Sequence, residues 1–251
     1  MQKLKLLFPL FLLLCFISAC DDDNDATDDD DSTITLSAAF DDFDTDNISV
    51  MLDGDEVVIE TNGLPNHTSP YWSTTSSLYV APTVTTTADM APGNIDNFVG
   101  SYTLRVPANP EKATTTSSTG LGAIGIAISG SVIYNDEEGP NVPLDNAVIS
   151  LDYTGAHTGP QSYHYHLEPT AWSNDDEKLI GIISDGFFLY GRKCNSTGTY
   201  PTDLDDSGGH TSTTQHSTAS LYHYHIQNEL YLNTYYILFP GDYQGTPNTI
   251  R

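Results

Sequence analysis

Gly125-Ile-Ala-Ile-Ser-Gly130-Ser-Val-Ile-Tyr134 lines up without a gap on Gly181-Ile-Ile-Ser-Asp-Gly186-Phe-Phe-Leu-Tyr190, an offset of 56 residues. Downstream, Leu151-Asp152-Tyr-Thr-Gly155-Ala-His157-Thr158 matches Leu204-Asp205-Asp-Ser-Gly208-Gly-His210-Thr211 at an offset of 53. Both copies close on one tetrapeptide, Tyr163-His164-Tyr165-His166 and Tyr222-His223-Tyr224-His225, at an offset of 59. Three blocks in the same order define two tandem units, about 121–169 and 177–228. Each unit opens with a strand-like run, turns at a glycine and returns, which predicts a β-hairpin. A polar loop and a short strand bearing the paired histidines complete it.

On a strand, side chains alternate between faces, so His164 and His166 point one way and Tyr163 and Tyr165 the other. Imidazoles at i and i+2 lie ~7 Å apart at their Cα atoms, close enough to converge on one ion. Adding the loop histidine gives each unit three nitrogen donors: His157, His164 and His166 in the first, His210, His223 and His225 in the second. Three imidazoles with an open position suit a catalytic zinc, and imidazole also suits copper, nickel and iron. If the units pack about a twofold axis, the two sets could instead meet in one shared or dinuclear site. The competing reading is a polar histidine face, solvated or hydrogen-bonded within the fold. The tyrosines read as core.

Asp152 and Asp205 precede the loop histidines by five residues in both copies, which suggests carboxylates that orient a ligand or simply form a turn. Asp203, Asp205 and Asp206 form an acidic loop without the ordered spacing of an EF-hand. His67 is a secondary candidate, and His216 reads as a loop residue. A Gly-x-Ser-x-Gly elbow and Gly-rich phosphate loops are missing from the sequence.

Upstream, Asn47–Glu60 reads as a hairpin turning at Asp53-Gly54-Asp55, and the stretch to about Gly120 reads as short strands and long loops. The N-terminus carries Lys3 and Lys5, an apolar run from Leu6 to Ile17, then Ser18 and Ala19 before Cys20, which reads as a signal peptide over 1–19. Ile17-Ser18-Ala19-Cys20 resembles the lipobox of bacterial lipoproteins, which implies lipid on Cys20 and a membrane anchor. Residues 21–31 are nearly all aspartate, a self-repelling run that suits a disordered acidic tether over 20–45. Such a run also resembles the surface-export signal of some bacterial lipoproteins, so the outer membrane and a surface-facing location are expected.

Against 34 acidic residues stand 8 basic ones, and the formal net charge is −26. No nucleic-acid partner is expected, because phosphate binding needs clustered positive charge. Of the 3 cysteines, Cys15 lies in the signal and Cys20 takes the lipid, so Cys194 has no disulfide partner. It reads as an unpaired cysteine. Abundant Thr, Ser, Tyr, Val and Ile point to β structure.

The chain resembles the YHYH-domain proteins, found chiefly as exported bacterial proteins. The resemblance runs from about Asn62 to Gly245, through Asn62-Gly63-Leu64-Pro65-Asn66-His67, Ser184-Asp185-Gly186-Phe187, Tyr190-Gly191, Asp203-Leu204-Asp205, Gly209-His210-Thr211 and both tetrapeptides. The first copy departs, having Ala156-His157 where members tend to have Gly-His, and lacking a nearby cysteine. The resemblance implies a domain type and an exported location, and no particular reaction.

The expected architecture is therefore a mainly β domain over 46–251, a single sandwich or roll built from two pseudo-symmetric units. The expected function is transition-metal binding, with zinc or copper the candidate ions, outside the cytoplasm. The alternatives are a non-catalytic surface module for adhesion or glycan binding, and a metal-dependent hydrolase or oxidase.

Overall fold

A computed structural model describes residues 34–82, 95–159 and 162–251. The expected signal peptide, Cys20 and the aspartate run lie outside these residues. Among the described residues the chain is mainly β, with short 3-10 helices and three sheets. The compact unit begins at Ile34 rather than at residue 46. A 3-10 helix, Ala38–Asp42, is capped by the Ser37 side chain, and Ala39 and Phe43 are buried in the core. This apolar anchor explains why the last part of the expected tether is folded.

β1 (Ile48–Asp53), β2 (Glu56–Thr61) and β3 (Tyr102–Pro107) form an antiparallel three-stranded sheet, with β1 and β2 joined at the expected Asp53-Gly54-Asp55 turn. β4 (Gly125–Ala127) and β5 (Val132–Ile133) are the first unit's hairpin. β6 (Glu137–Gly139) and β7 (Val142–Pro143) form a small separate ribbon. β8 (Ala156–Thr158) and β9 (Tyr163–Tyr165) complete the first unit. In the second unit β10 (Leu179–Ile183) and β11 (Phe188–Tyr190) are the hairpin, followed by β12 (Gly209–Thr214) and β13 (Ser217–His225).

The eight strands of both units make one sheet in the order β12-β13-β11-β10-β4-β5-β9-β8. The pairing pattern reads the same from the centre outward in each half. The hairpin is antiparallel, its second strand pairs in parallel with the tetrapeptide strand (β5 with β9, β11 with β13), and that strand pairs antiparallel with the loop-histidine strand. The halves join where β4 and β10 run antiparallel, with Ile126 opposite Ile182.

One face of the large sheet packs on the small one: Val57, Ile59, Leu104 and Val106 meet Ile126, Leu179, Ile182 and Tyr190. The other face buries Tyr163, Tyr165 and Tyr224 with Tyr71, Leu238 and Phe239. Each fully buried aliphatic side chain contributes ~1.5–3 kcal/mol, so these layers hold the sheet rigidly enough to fix the strands that carry the histidines.

Candidate metal centres

Alternation along β9 and β13 sends the tyrosines into the core and the histidines to the opposite face, at the two flanks of the sheet. The loop histidines arrive by register: His157 faces His164 across β8–β9, and His210 faces His223 across β12–β13. Each unit thus gathers its own three imidazoles. All six are buried. Strands β11, β10, β4 and β5 lie between β13 and β9, five steps of ~4.8 Å or ~24 Å along the sheet. A shared or dinuclear site is therefore ruled out by strand order.

In the first centre, His157 Nε2 lies 3.0 Å from His164 Nε2. Glu138, from the β6–β7 ribbon, places Oε1 3.3 Å from His157 Nε2 and 3.3 Å from His166 Nε2. The outward nitrogens are all engaged. His166 Nδ1 donates to the Asn135 carbonyl at 2.6 Å and His164 Nδ1 to the Ser162 carbonyl at 3.2 Å. His157 Nδ1 meets Ser150 Oγ at 2.9 Å, and the Ser150 hydroxyl hydrogen is used on the Ala147 carbonyl, so Oγ accepts.

In the second centre, His223 Nδ1 donates to the Leu221 carbonyl at 2.9 Å and His225 Nδ1 to the Gly191 carbonyl at 2.7 Å. His210 Nδ1 donates to Asp203 Oδ1 at 2.9 Å. The fully buried Cys194 sets its Sγ 3.5 Å from His210 Nε2, with the hydroxyls of Ser196 and Ser212 at 3.1 and 3.3 Å.

These partners fix the tautomers. A carbonyl or carboxylate can only accept, so each imidazole carries its hydrogen on Nδ1 and turns its Nε2 acceptor inward, where that of His210 has the Ser212 hydroxyl at 3.2 Å. His166 Nε2 and His225 Nε2 are buried without a hydrogen-bond partner; the Glu138 oxygen near the former lies at ion-pair distance and has no hydrogen to share. Burial, reinforced by neighbouring imidazoles, favours the neutral form of His164, His166, His223 and His225. His166 and His223 are each brought down to about 4, His225 to about 3, and His164 well below the usual histidine value.

Bare lone pairs and a carboxylate pointing at one another across ~3 Å repel unless a cation lies among them. Four donors at ~2.0–2.3 Å from a tetrahedral ion stand ~3.3–3.6 Å apart, close to the 3.0 and 3.3 Å separations of the first centre and the 3.5 Å between Cys194 Sγ and His210 Nε2 in the second. The chemistry of the donor sets therefore fits a transition-metal ion. His157, His164 and His166 form one group that could hold it, and Cys194, His210, His223 and His225 the other, with the ligand atoms of each within 4.8 Å of one another.

The two aspartates expected to orient ligands do otherwise. Asp152 accepts from Tyr163 (2.6 Å), Ser69 and Thr154, and Asp205 accepts from Tyr222 (3.1 Å) and the amides of Ser207 and Gly209. Both sit on the tyrosine side, where they pin phenol hydroxyls and shape the turn before the loop histidine. The orienting role at His210 falls to Asp203, and at His157 to Ser150. In the acidic loop Asp203 is on His210 and Asp205 on Tyr222, while Asp206 is exposed. His67 is outside both centres, with Nε2 2.6 Å from the Tyr165 hydroxyl and Nδ1 on the Thr68 carbonyl. His216, in the β12–β13 turn, bridges Asp42 and the Tyr190 hydroxyl. Cys194, which reads in sequence as merely unpaired, is in the second centre, and Glu138 had no signal as a single residue.

The fold and these centres describe a mainly β protein with two separate buried histidine groups, each of a composition that could hold a metal ion. Residues 103–202 match the family model described as YHYH protein, to which that segment is similar. The matched segment takes in the whole first centre and Cys194, and ends before His210. No curated protein and no solved structure matches the chain.

Proposed function

We propose that this is an exported, lipid-anchored protein of the cell envelope that holds two transition-metal ions, one in each histidine centre. Zinc and copper are the ions the donors suit best. The reading rests on one observation: six buried imidazoles, their outer nitrogens all hydrogen-bonded, turn their Nε2 acceptors into two closed groups, and in each group one of these, His166 or His225, has no hydrogen-bond partner. A metal-free structural core would leave those lone pairs facing one another. The same reading makes the domain a β-sandwich that arose by tandem duplication, supported by the matching pairing in the two halves of the large sheet. The anchor is lipid on Cys20, followed by the aspartate run as spacer, with the outer membrane as its site.

Elemental analysis of the purified, tag-free protein tests the metal reading. The expected result is close to two ions per chain, falling to one in His164→Ala/His166→Ala and to one in His223→Ala/His225→Ala. Protein that stays metal-free after incubation with zinc and with copper overturns it. Incorporation of labelled fatty acid, lost in Cys20→Ser, tests the anchor separately.

A further inference from the structure

The ungapped match of Gly125–Tyr134 on Gly181–Tyr190 continues in space beyond its last matching residue. Asn135, which accepts from His166 Nδ1, and Gly191, which accepts from His225 Nδ1, are 56 residues apart. Three positions further on, the same offset pairs Glu138 with Cys194. Both reach the inner nitrogens of their own unit's loop histidine, Glu138 Oε1 at 3.3 Å from His157 Nε2 and Cys194 Sγ at 3.5 Å from His210 Nε2. The two residues are unlike in chemistry and alike in place.

We infer that Glu138 is the fourth ligand of the first centre, occupying the corner that Cys194 occupies in the second, so that one scaffold presents a nitrogen-oxygen site and a nitrogen-sulfur site. This rests on the metal-binding reading above. Three edges, 3.0 Å between the Nε2 atoms of His157 and His164 and 3.3 Å from Glu138 Oε1 to each of His157 and His166, agree with ~3.3 Å for a tetrahedron of nitrogen and oxygen donors, while Glu138 stays outside the group of three histidines whose ligand atoms all lie within 4.8 Å, so its carboxylate has to swing toward His164 to close the site. The corner residue then decides what each centre prefers. Carboxylate favours harder divalent ions, and thiolate favours softer ones and holds zinc tightly. Glu138 is also more exposed than the histidines it faces, since it comes from the small β6–β7 ribbon.

Cobalt(II) serves as the probe, because a thiolate ligand adds a charge-transfer absorption that nitrogen and oxygen ligands lack. Wild-type protein is expected to take up two cobalt ions with one thiolate-type signal. In Glu138→Gln the first centre should lose affinity by ~100-fold, the upper end of what losing even an orienting partner costs. The thiolate signal should keep full amplitude, which shows that the variant is folded. In Glu138→Cys a second thiolate signal should appear. Wild-type affinity at the first centre in Glu138→Gln, or a single thiolate signal in Glu138→Cys, overturns the assignment. Failure of wild-type protein to take up any cobalt counts instead against metal binding itself.

Discussion

Tyr163 donates a 2.6 Å hydrogen bond to Asp152 on the face of β9 opposite His164. In the second unit Tyr222 and Asp205 repeat the relationship at 3.1 Å. The tyrosines of the repeated tetrapeptide thus hold the loop that delivers the next histidine, and the histidines hold whatever lies beneath the other face. This division of labour makes the two residue types separable by mutation.

Tyr163→Phe should cost stability and leave the metal alone. Asp152 keeps Ser69 and Thr154 as partners, so the loss is that of one buried charged hydrogen bond, ~1.5–3 kcal/mol. Urea denaturation measures it, alongside metal content. An unchanged midpoint, or loss of an ion, contradicts this account.

The turn before each loop histidine uses a glycine at φ +80°, Gly155 in one copy and Gly208 in the other. An alanine at either pays the left-handed penalty of ~1–2 kcal/mol. At Gly155 the added methyl also meets the Leu167 carbonyl oxygen at 2.8 Å, whereas at Gly208 its nearest neighbour is the end of the flexible Gln227 side chain. Gly155→Ala should therefore destabilise more than Gly208→Ala, as read from their denaturation midpoints. Equal midpoints would show that the first turn can relax.

Acid should unfold the metal-stripped protein earlier than carboxylate titration alone would. A histidine whose folded pKa lies below its unfolded value of ~6.5 contributes stability above that pH and loses it as pH falls toward the folded pKa. For His166 and His223 that window runs down to about 4, and for His225 to about 3. Each group costs ~1.4 kcal/mol per pH unit within it. Urea midpoints at pH 7, 6 and 5 should fall progressively, and less steeply in His223→Ala/His225→Ala. A flat profile in the parent protein would mean that these rings are charged when folded.

Copper(I), a soft ion, should discriminate between the centres. With two zinc ions bound, substoichiometric copper(I) is expected to displace the ion beside Cys194 first, and Cys194→Ser should abolish that preference. Metal content of the wild type against the two double-histidine variants reads the order of exchange. Displacement beginning at the first centre would reverse the assigned preference.

The histidines were legible in the sequence because identical residues stand at matching places in both copies. The hairpins and the alternation of faces followed from glycine placement and strand periodicity. The outer shell and the fourth corners were hidden for the opposite reason: matching places hold unlike residues. Ser150 and Asp203, 53 residues apart, both meet the Nδ1 of their loop histidine at 2.9 Å, and neither resembles the other. Asp152 and Asp205, alike in both copies, attracted the orienting role that their neighbours perform. Sequence identity revealed shared chemistry, and only three dimensions revealed shared position. The folded start at Ile34 was masked by the aspartate run, whose composition overshadowed Ala39 and Phe43.

Four of the six imidazoles are steadied by main-chain carbonyls, those of Asn135, Ser162, Gly191 and Leu221. A carbonyl is supplied by any amino acid, so these fasteners survive substitution of the residues that own them. What differs between the halves is the residue at 138 or 194 and the partner at 150 or 203. On the metal-binding reading proposed above, the frame is a socket with interchangeable fittings, and one substitution at a corner changes the donor chemistry of that centre alone.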